Sequence, residues 1–257
     1  FLPLPRWFPR LHRRATRASA AVIRGLITGL TETRAAEIAA GTAPDDLATK
    51  IMTTADPLTG ERFAPAEMVD QVAIFFLAGH ETSASAMAWA RYLRASCPAV
   101  QAGLPENPGF SDISRLKFTR DVFRETLRLY PPVPMMVREN TCPEDFRTRP
   151  VAPGAQVVLS PWHQQRHERL WERPDEFDPG RWQTEAGRAS SRAAYMPFSS
   201  GPRVCTGAGF AMVEGPLLLA LLARAFRFER VEGRDPVPVA HLTVRAKEGI
   251  LLRVTPR

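Results

Sequence analysis

The sequence predicts a mainly α-helical fold with small β-sheets, because long helical patterns are separated by a few short strand patterns. The longest helical pattern covers residues 65–97. At 1.5 Å per residue, this stretch of roughly 30 residues reaches roughly 48 Å, which is enough to cross a whole domain. Two more helices are predicted at 119–130, just before a Pro-Pro pair, and at 207–226. Short strands are predicted at 133–139, 156–159, 242–245 and 250–254.

The remaining segments are assigned by composition and turn signals. Residues 1–40 begin with a proline-rich stretch and continue as a basic, alanine-rich helical pattern, and a shorter helix is expected at 43–52. Residues 98–108 are expected to form a loop because proline and glycine interrupt any periodicity. Residues 162–182 are rich in proline, aromatic and charged side chains, and we expect an ordered meander there.

The composition excludes several classes of protein. With 257 residues and 44% hydrophobic side chains, the chain can bury a substantial core. The net charge of +7 permits anionic partners, but no groove-reading motif or set of base-stacking aromatics accompanies it, so no nucleic acid is expected. No apolar run approaches the roughly 18 residues of a membrane span, and the N-terminus does not resemble a signal peptide. We therefore expect a cytoplasmic protein, unless an anchor lies in a missing N-terminal part.

Cysteine spacing points away from a disulfide framework. Cys97, Cys142 and Cys205 are far apart in the chain, so neither paired disulfides nor a zinc site with paired cysteines is implied. A reducing compartment is the natural setting for such a chain.

Cys205 lies between a glycine-punctuated turn and a strongly apolar helix. Free N–H groups and the positive dipole end at the start of that helix favour an anionic sulfur, and Arg203 acts in the same direction. Gly201 and Gly207 let the backbone pass close to a flat, bulky group, where a Cβ would collide. A thiolate that faces a large planar cofactor is what haem iron requires. The alternative is a buried structural cysteine at a loop-to-helix junction.

The segment from Phe198 to Gly207 resembles the haem-binding signature of the cytochrome P450 family, Phe-x-x-Gly-x-Arg-x-Cys-x-Gly, at every patterned position. The resemblance continues through Phe210 and Ala211. It implies that residues 1–257 are the C-terminal portion of a single cytochrome P450 domain of the bacterial soluble type, with the N-terminal part missing. It also implies haem b, iron protoporphyrin IX, with Cys205 as the axial metal ligand.

The middle of the long helix carries a polar insert that also resembles this family. Ala78 and Gly79 are followed by Glu81 and Thr82, in an otherwise apolar stretch. A mid-helix glycine costs about 1 kcal/mol relative to alanine, and a buried acid or hydroxyl costs more unless it is hydrogen-bonded. In the family, the small pair opens a groove over the iron and the acid–alcohol pair relays protons to dioxygen. The alternative is a helix kink with a satisfied polar patch.

Glu125 and Arg128 lie three residues apart, so the two charges share one face of a mostly apolar helix and can pair. A pair that is buried there needs a further partner. The meander segment from Phe177 to Trp182 resembles the family's segment that supplies this partner, with Arg181 in the corresponding position. The resemblance therefore implies a structural role for all three residues, on the thiolate side of the haem.

Two arginines match family positions that bind haem propionates, namely Arg138 and Arg203. A guanidinium suits a carboxylate because it donates two parallel hydrogen bonds. The alternative for Arg138 is an ordinary solvent-exposed side chain. The residues that precede Arg138 would line the substrate pocket or, alternatively, belong to a core strand. They are Val133, Pro134, Met135 and Met136.

The resemblance implies a haem-thiolate monooxygenase. Such an enzyme inserts one oxygen atom of O2 into a hydrophobic organic substrate and takes electrons from NAD(P)H through a ferredoxin or a flavoprotein reductase. Thiolate ligation favours O–O cleavage. The alternative from another class is a truncated, non-catalytic remnant of this fold without stable haem binding. A haem-thiolate isomerase or peroxide-driven enzyme is a third reading, which the retained Glu81–Thr82 pair argues against.

Overall fold

The computed structural model describes residues 14–103 and 116–257, which divide into two compact units. One unit ends at Ala78 and the other runs from Gly79 to Arg257. The predicted mainly helical fold with small sheets is confirmed. The proline-rich start of the chain and residues 104–108 of the predicted loop lie outside the described residues.

The first unit contains two complete helices, α1 (Arg14–Ala40) and α2 (Leu47–Thr53). Helix α2 starts later than predicted because Asp46 caps it, accepting a hydrogen bond from the Thr49 backbone N–H at 2.9 Å. The same carboxylate pairs with Arg34 of α1 at 2.5 Å. These hydrogen bonds lower the pKa of Asp46 to about 2. One acid thus caps α2 and ties it to α1.

Helix α3 (Pro65–Ser96) is the long helix that the sequence predicts. The predicted loop at 98–108 is wrong at its start, because Pro98–Gly103 form a short helix, α4. Proline is tolerated in the first turn of a helix, where its missing N–H costs no hydrogen bond. The Gln101 N–H donates to the Cys97 carbonyl at 3.0 Å and closes this turn.

The second unit is built around the packing of α5 (Lys117–Leu129) against α8 (Ala208–Ala225). The two helices approach closely at Gly215, where an added Cβ would lie 2.3 Å from a ring carbon of Phe123. The main hydrophobic cluster joins these helices to the C-terminal half of α3. Its buried members are Ala86, Met87, Ala90, Val100, Val122, Phe123, Leu127, Leu219 and Ala223.

Helix α8 corrects one expectation from the sequence. By length and composition it is apolar enough to cross a membrane, with a mean hydropathy of 1.5 over Ala208–Ala225. The interior helix of a soluble protein satisfies the same criterion, and Leu219 and Ala223 of α8 lie in the core cluster. This value already includes Arg224, which lies near the C-terminal end of the stretch.

The described strands form four two-stranded antiparallel sheets. Strand β1 pairs with β4, β2 with β3, β5 with β8, and β6 with β7. The strands predicted at 242–245 and 250–254 are observed slightly later in the chain, as β7 and β8. They pair with β6 and β5, which the strand patterns could not specify. The strands are β1 (Met136–Glu139), β2 (Glu144–Phe146), β3 (Arg149–Val151), β4 (Gln156–Leu159), β5 (Phe226–Arg230), β6 (Pro238–Ala240), β7 (Val244–Ala246) and β8 (Leu252–Pro256).

The predicted meander contains short helical turns. It begins with α6 (Pro161–Gln164) and ends with a 3-10 turn at Pro179–Gln183. Helix α7 (Glu185–Ala194) follows, capped by Thr184, and the sequence did not predict it. The ring of Trp182 packs edge-on against Trp171, with centroids 5.8 Å apart. This aromatic packing orders a segment that lacks a regular hydrophobic period.

Candidate functional site

The Cys205 segment forms a tight loop immediately before α8. A 3-10 turn at Gly201–Arg203 precedes the cysteine, and Gly201 has φ +69°, a conformation that favours glycine. The Cys205 N–H donates to the Phe198 carbonyl at 2.8 Å, which closes the loop. The Cys205 thiol is free and its residue is exposed. The loop therefore presents the sulfur outward and does not bury it in the core.

Arg138 connects β1 to this loop. Its Nη2 donates to Ser199 Oγ at 2.6 Å, and its Nη1 donates to the Val137 carbonyl at 3.0 Å. The structure thus brings one predicted propionate-binding arginine to the segment that carries Cys205. Arg203, the other one, is exposed within the 3-10 turn, two residues from the cysteine.

The surroundings of the sulfur fit a large, flat and partly apolar group. The side chains of Val204 and Phe210 flank Cys205 in the chain and are 52% and 68% exposed. A Cβ added at Gly201 or Gly209 would meet no atom within 4 Å, and one added at Gly207 would meet the sulfur itself at 3.8 Å. Exposed apolar side chains beside a free thiol and open backbone are the features that a porphyrin face requires.

The polar insert of α3 has space on one side and partners on the other. A Cβ at Gly79 would meet no atom within 4 Å. Thr82 is partly buried. Glu81 Oε1 accepts hydrogen bonds from Thr243 Oγ1 and, at 3.0 Å, from Arg245 Nε. These two hydrogen bonds lower the pKa of Glu81. The predicted acid is therefore held as a carboxylate by partners that sequence reasoning missed.

The insert is also connected to the helix that follows the cysteine. Ser83 Oγ donates to the Glu214 carboxylate of α8 at 3.1 Å. Ser83 is the next residue after Thr82, and Glu214 lies in α8, which starts three residues after Cys205. This contact therefore brings the polar insert of α3 next to the N-terminal half of α8, although the two are distant in sequence.

Glu125, Arg128 and Arg181 form a buried ionic network. Arg128 donates two hydrogen bonds to the Glu125 carboxylate, at 3.0 and 2.9 Å, and Arg181 Nε donates to it at 2.8 Å. The relative exposures of these residues are 0%, 0% and 5%. Asp178 adds a backbone N–H at 3.1 Å. Both carboxylate oxygens are therefore satisfied, as burial requires.

The two arginines of this network also hold the meander. Arg128 Nη1 donates to the Gln165 carbonyl at 2.8 Å, and Arg181 Nη1 donates to the Glu172 carbonyl at 2.6 Å. Gln165 is fully buried, and its amide donates to the Leu127 carbonyl at 3.0 Å and accepts from the Met196 N–H at 2.9 Å. A segment without helical or strand periodicity is thereby fixed through its backbone carbonyls.

Two of the four predicted pocket residues line a cavity. Pro134 and Met135 contribute to a cavity of about 290 Å³ whose wall is mostly apolar. Val133 and Met136 do not line it. The β6–β7 hairpin also lines this cavity, and the sequence did not associate that hairpin with a pocket. The other lining residues are Ser160, Trp162, His163, Pro238, Val239, Ala240 and Val244.

A free thiol presented before an apolar helix, with arginines on the flanking segments and an open glycine-containing backbone, is typical of haem-thiolate proteins. The comparisons with known proteins agree. The family model for cytochrome P450 matches residues 1–254. Cyclooctatin synthase of Streptomyces melanosporofaciens is 34% identical over 210 residues, covering 78% of this chain and 46% of that protein. Cyclooctat-9-en-7-ol 5-monooxygenase of the same organism is 32% identical over 197 residues, covering 73% of this chain and 43% of that protein.

A solved structure, the haem domain of cytochrome P450DA, has a TM-score of 0.86 and 30% identity, and the match covers 95% of this chain and 55% of that one. The chain belongs to the cytochrome P450 family. It spans about half the length of the relatives that it matches.

Proposed function

We propose that this chain carries the thiolate side of a haem monooxygenase and that Cys205 is the axial ligand of haem b. The observation that carries the proposal is the free, exposed thiol of Cys205 within a complete family signature. In the reaction, one atom of O2 enters an organic substrate. The other atom leaves as water, with two electrons from NAD(P)H and two protons. Haem, when bound, supplies the oxygen chemistry.

Several residues would hold the cofactor. Arg138 and Arg203 would bind its propionates, because each guanidinium can donate two parallel hydrogen bonds to a carboxylate. Phe198, Gly201 and Gly207 would shape the loop around the sulfur. The hydrogen bond from Arg138 to Ser199 supports this assignment, since it keeps the arginine beside the loop.

The insert of α3 would act on the opposite side of the cofactor. Ala78 and Gly79 would leave room for dioxygen, in accord with the open space at Gly79. Glu81 and Thr82 would manage protons, because a carboxylate and a hydroxyl in consecutive positions can pass a proton between solvent and a bound ligand. The contact between Ser83 and Glu214 supports a fixed position of this insert relative to α8.

The proposed substrate is a hydrophobic small molecule. The apolar cavity beside Pro134 and Met135 supports this class, as do the names of two relatives. Val133 and Met136 remain candidate pocket residues only through the family resemblance. Electrons would come from a ferredoxin or a flavoprotein reductase. A cytoplasmic location accords with three free cysteines.

Carbon monoxide difference spectroscopy tests this function. Haem-loaded, reduced protein should show the red-shifted Soret band of thiolate ligation, and Cys205→Ser should lose that band entirely. Cys142→Ser is the matched control, because Cys142 is also a free, exposed cysteine, and it should leave the band unchanged. Persistence of the band in Cys205→Ser would contradict the ligand assignment. Failure of the unaltered protein to take up haem would support the non-catalytic remnant instead.

A further inference from the structure

One face of α3 is hydrogen-bonded to the C-terminal hairpin formed by β6 and β7. Ser85 Oγ donates to the Val244 carbonyl at 2.5 Å, and Trp89 Nε1 donates to the same oxygen at 3.2 Å. Glu81, Ser85 and Trp89 are spaced by four residues, so they line a single stripe of the helix. The Val244 side chain is buried, at 2% exposure. The hairpin is therefore fixed against α3 at Val244.

The residues on either side of Val244 hold the Glu81 carboxylate. Thr243 Oγ1 donates to Glu81 Oε1, and Arg245 Nε donates to the same oxygen at 3.0 Å. Arg245 Nη2 lies 2.5 Å from this oxygen and completes the ion pair. Thr243 immediately precedes β7 and Arg245 lies within it, and both side chains reach Glu81. Thr243 is 2% exposed, so its hydroxyl has little access to water as an alternative partner.

We propose that Thr243 and Arg245 are positioning residues for Glu81 in proton delivery, an inference that rests on the proposed function. A glutamate side chain on a helix has three rotatable bonds, and two hydrogen bonds and an ion pair on one oxygen restrict its arrangement. The hairpin thus determines where the Glu81 carboxylate lies. Without this restraint, protons reach reduced oxygen less reliably, and more of it leaves as hydrogen peroxide.

The first test measures the contact itself, without turnover. Glu81→Gln, Arg245→Ala and the double variant are compared by the midpoint of urea unfolding. The two changes should be non-additive, so that the double variant unfolds near the midpoint of the less stable single variant. Lys247→Ala is the control, because it removes an exposed cation two residues after Arg245. Its shift in the unfolding midpoint should add to the shift caused by Glu81→Gln. Additive effects of Glu81→Gln and Arg245→Ala would overturn the proposal.

The second test measures hydrogen peroxide released per NAD(P)H oxidised by the haem-loaded protein. A plant-type ferredoxin and its reductase serve as electron donors, and no organic substrate is added. Peroxide formation consumes one O2, one NAD(P)H and one proton. Arg245→Ala should raise the peroxide fraction several-fold. Arg245→Lys and Lys247→Ala should give a peroxide fraction close to that of the unaltered protein. In the Glu81→Gln background, Arg245→Ala should cause no further rise in the peroxide fraction.

The outcomes separate this inference from the proposed function. If the thiolate Soret band forms but Arg245→Ala leaves the peroxide fraction unchanged, the positioning role is wrong and the haem assignment stands. If Arg245→Ala raises peroxide equally with and without Glu81, the arginine acts through another group and the proposal fails. If no thiolate band forms in the unaltered protein, the proposed function fails, and the unfolding cycle still reports whether the contact exists.

Discussion

Glu125 shows how one buried residue organises a whole segment. Its carboxylate accepts hydrogen bonds from Arg128, Arg181 and the Asp178 backbone, so a charge with no exposure to water is fully compensated. Continuum arguments indicate that such a network adds little net stability relative to apolar side chains, whereas removal of one partner is costly. The network therefore specifies one arrangement of the meander, which lies on the same unit as the Cys205 loop.

Arg181→Met tests this view. The substitution removes one hydrogen-bond partner of a buried carboxylate and the donor to three backbone carbonyls. The carbonyls of Arg173 and Glu176 keep a second donor, so the Glu172 carbonyl loses most. We expect a loss of about 3 kcal/mol in the free energy of unfolding. Arg188→Met is the control, since Arg188 makes only an exposed pair with Glu185 at 3.4 Å, and it should change stability by less than about 1 kcal/mol. Urea unfolding measures both, and equal effects would contradict a structural role for Arg181.

Among the elements, α7 is attached to the meander through backbone contact. Thr184 caps α7 by accepting a hydrogen bond from the Gly187 N–H at 3.0 Å. At Gly187 the helix touches the preceding 3-10 turn so closely that an added Cβ would lie 1.9 Å from the Arg181 carbonyl oxygen. Position 187 therefore requires glycine, because the backbone of α7 approaches the backbone of the 3-10 turn closely there. The contact is with Arg181, a residue of the buried ionic network.

Gly187→Ala should destabilise the protein by about 1–3 kcal/mol, because a backbone carbonyl must move to admit the methyl group. Gly209→Ala provides the comparison within another helix, since a Cβ there meets no atom within 4 Å. It should be neutral or slightly stabilising. Thermal unfolding followed by circular dichroism gives both values. A Gly187→Ala variant as stable as the unaltered protein would show that the turn at Pro179–Gln183 can shift freely.

At the scale of the whole molecule, the packed core and the proposed haem site are different parts of the second unit. The hydrophobic cluster around Phe123 and Leu219 and the ionic network around Glu125 are formed by protein groups alone. The apolar side chains next to Cys205 and Arg138 in the chain, Val204 and Val137, are by contrast 52% and 53% exposed. We infer that haem binding covers an existing surface and does not create the core.

If haem covers an existing apolar surface, it should compete with a hydrophobic fluorescent dye for that surface and should stabilise the fold. Haem-free protein should enhance the fluorescence of the dye, and added haem should displace it with a stoichiometry of one. Haem at 100 times its dissociation constant should stabilise the fold by about 2.7 kcal/mol. Cys205→Ser should require more haem for both effects. A haem-free protein that lacks cooperative unfolding would contradict a preformed scaffold.

The sequence by itself determined the features that depend on local pattern and chemistry. The period of apolar residues in 65–97 predicted α3, and Gln156–Leu159 was predicted as β4 with the same bounds. The glycine-rich turn and Cys205 predicted the family, because a thiolate ligand needs particular neighbours within a few residues. The choice of Glu125, Arg128 and Arg181 came from the same resemblance, and the structure joins them in one ionic network.

Only the tertiary structure decided the contacts between distant segments. Thr243 and Arg245 carry no local signal, yet they hold Glu81 from more than 160 positions along the chain. Strand patterns at the C-terminus did not reveal that β8 pairs with β5 and β7 with β6. Hydrophobic period fixes which face of an element is buried, whereas its partner depends on how the whole chain packs. For that reason the acid was predictable from sequence and the residues that hold it were not.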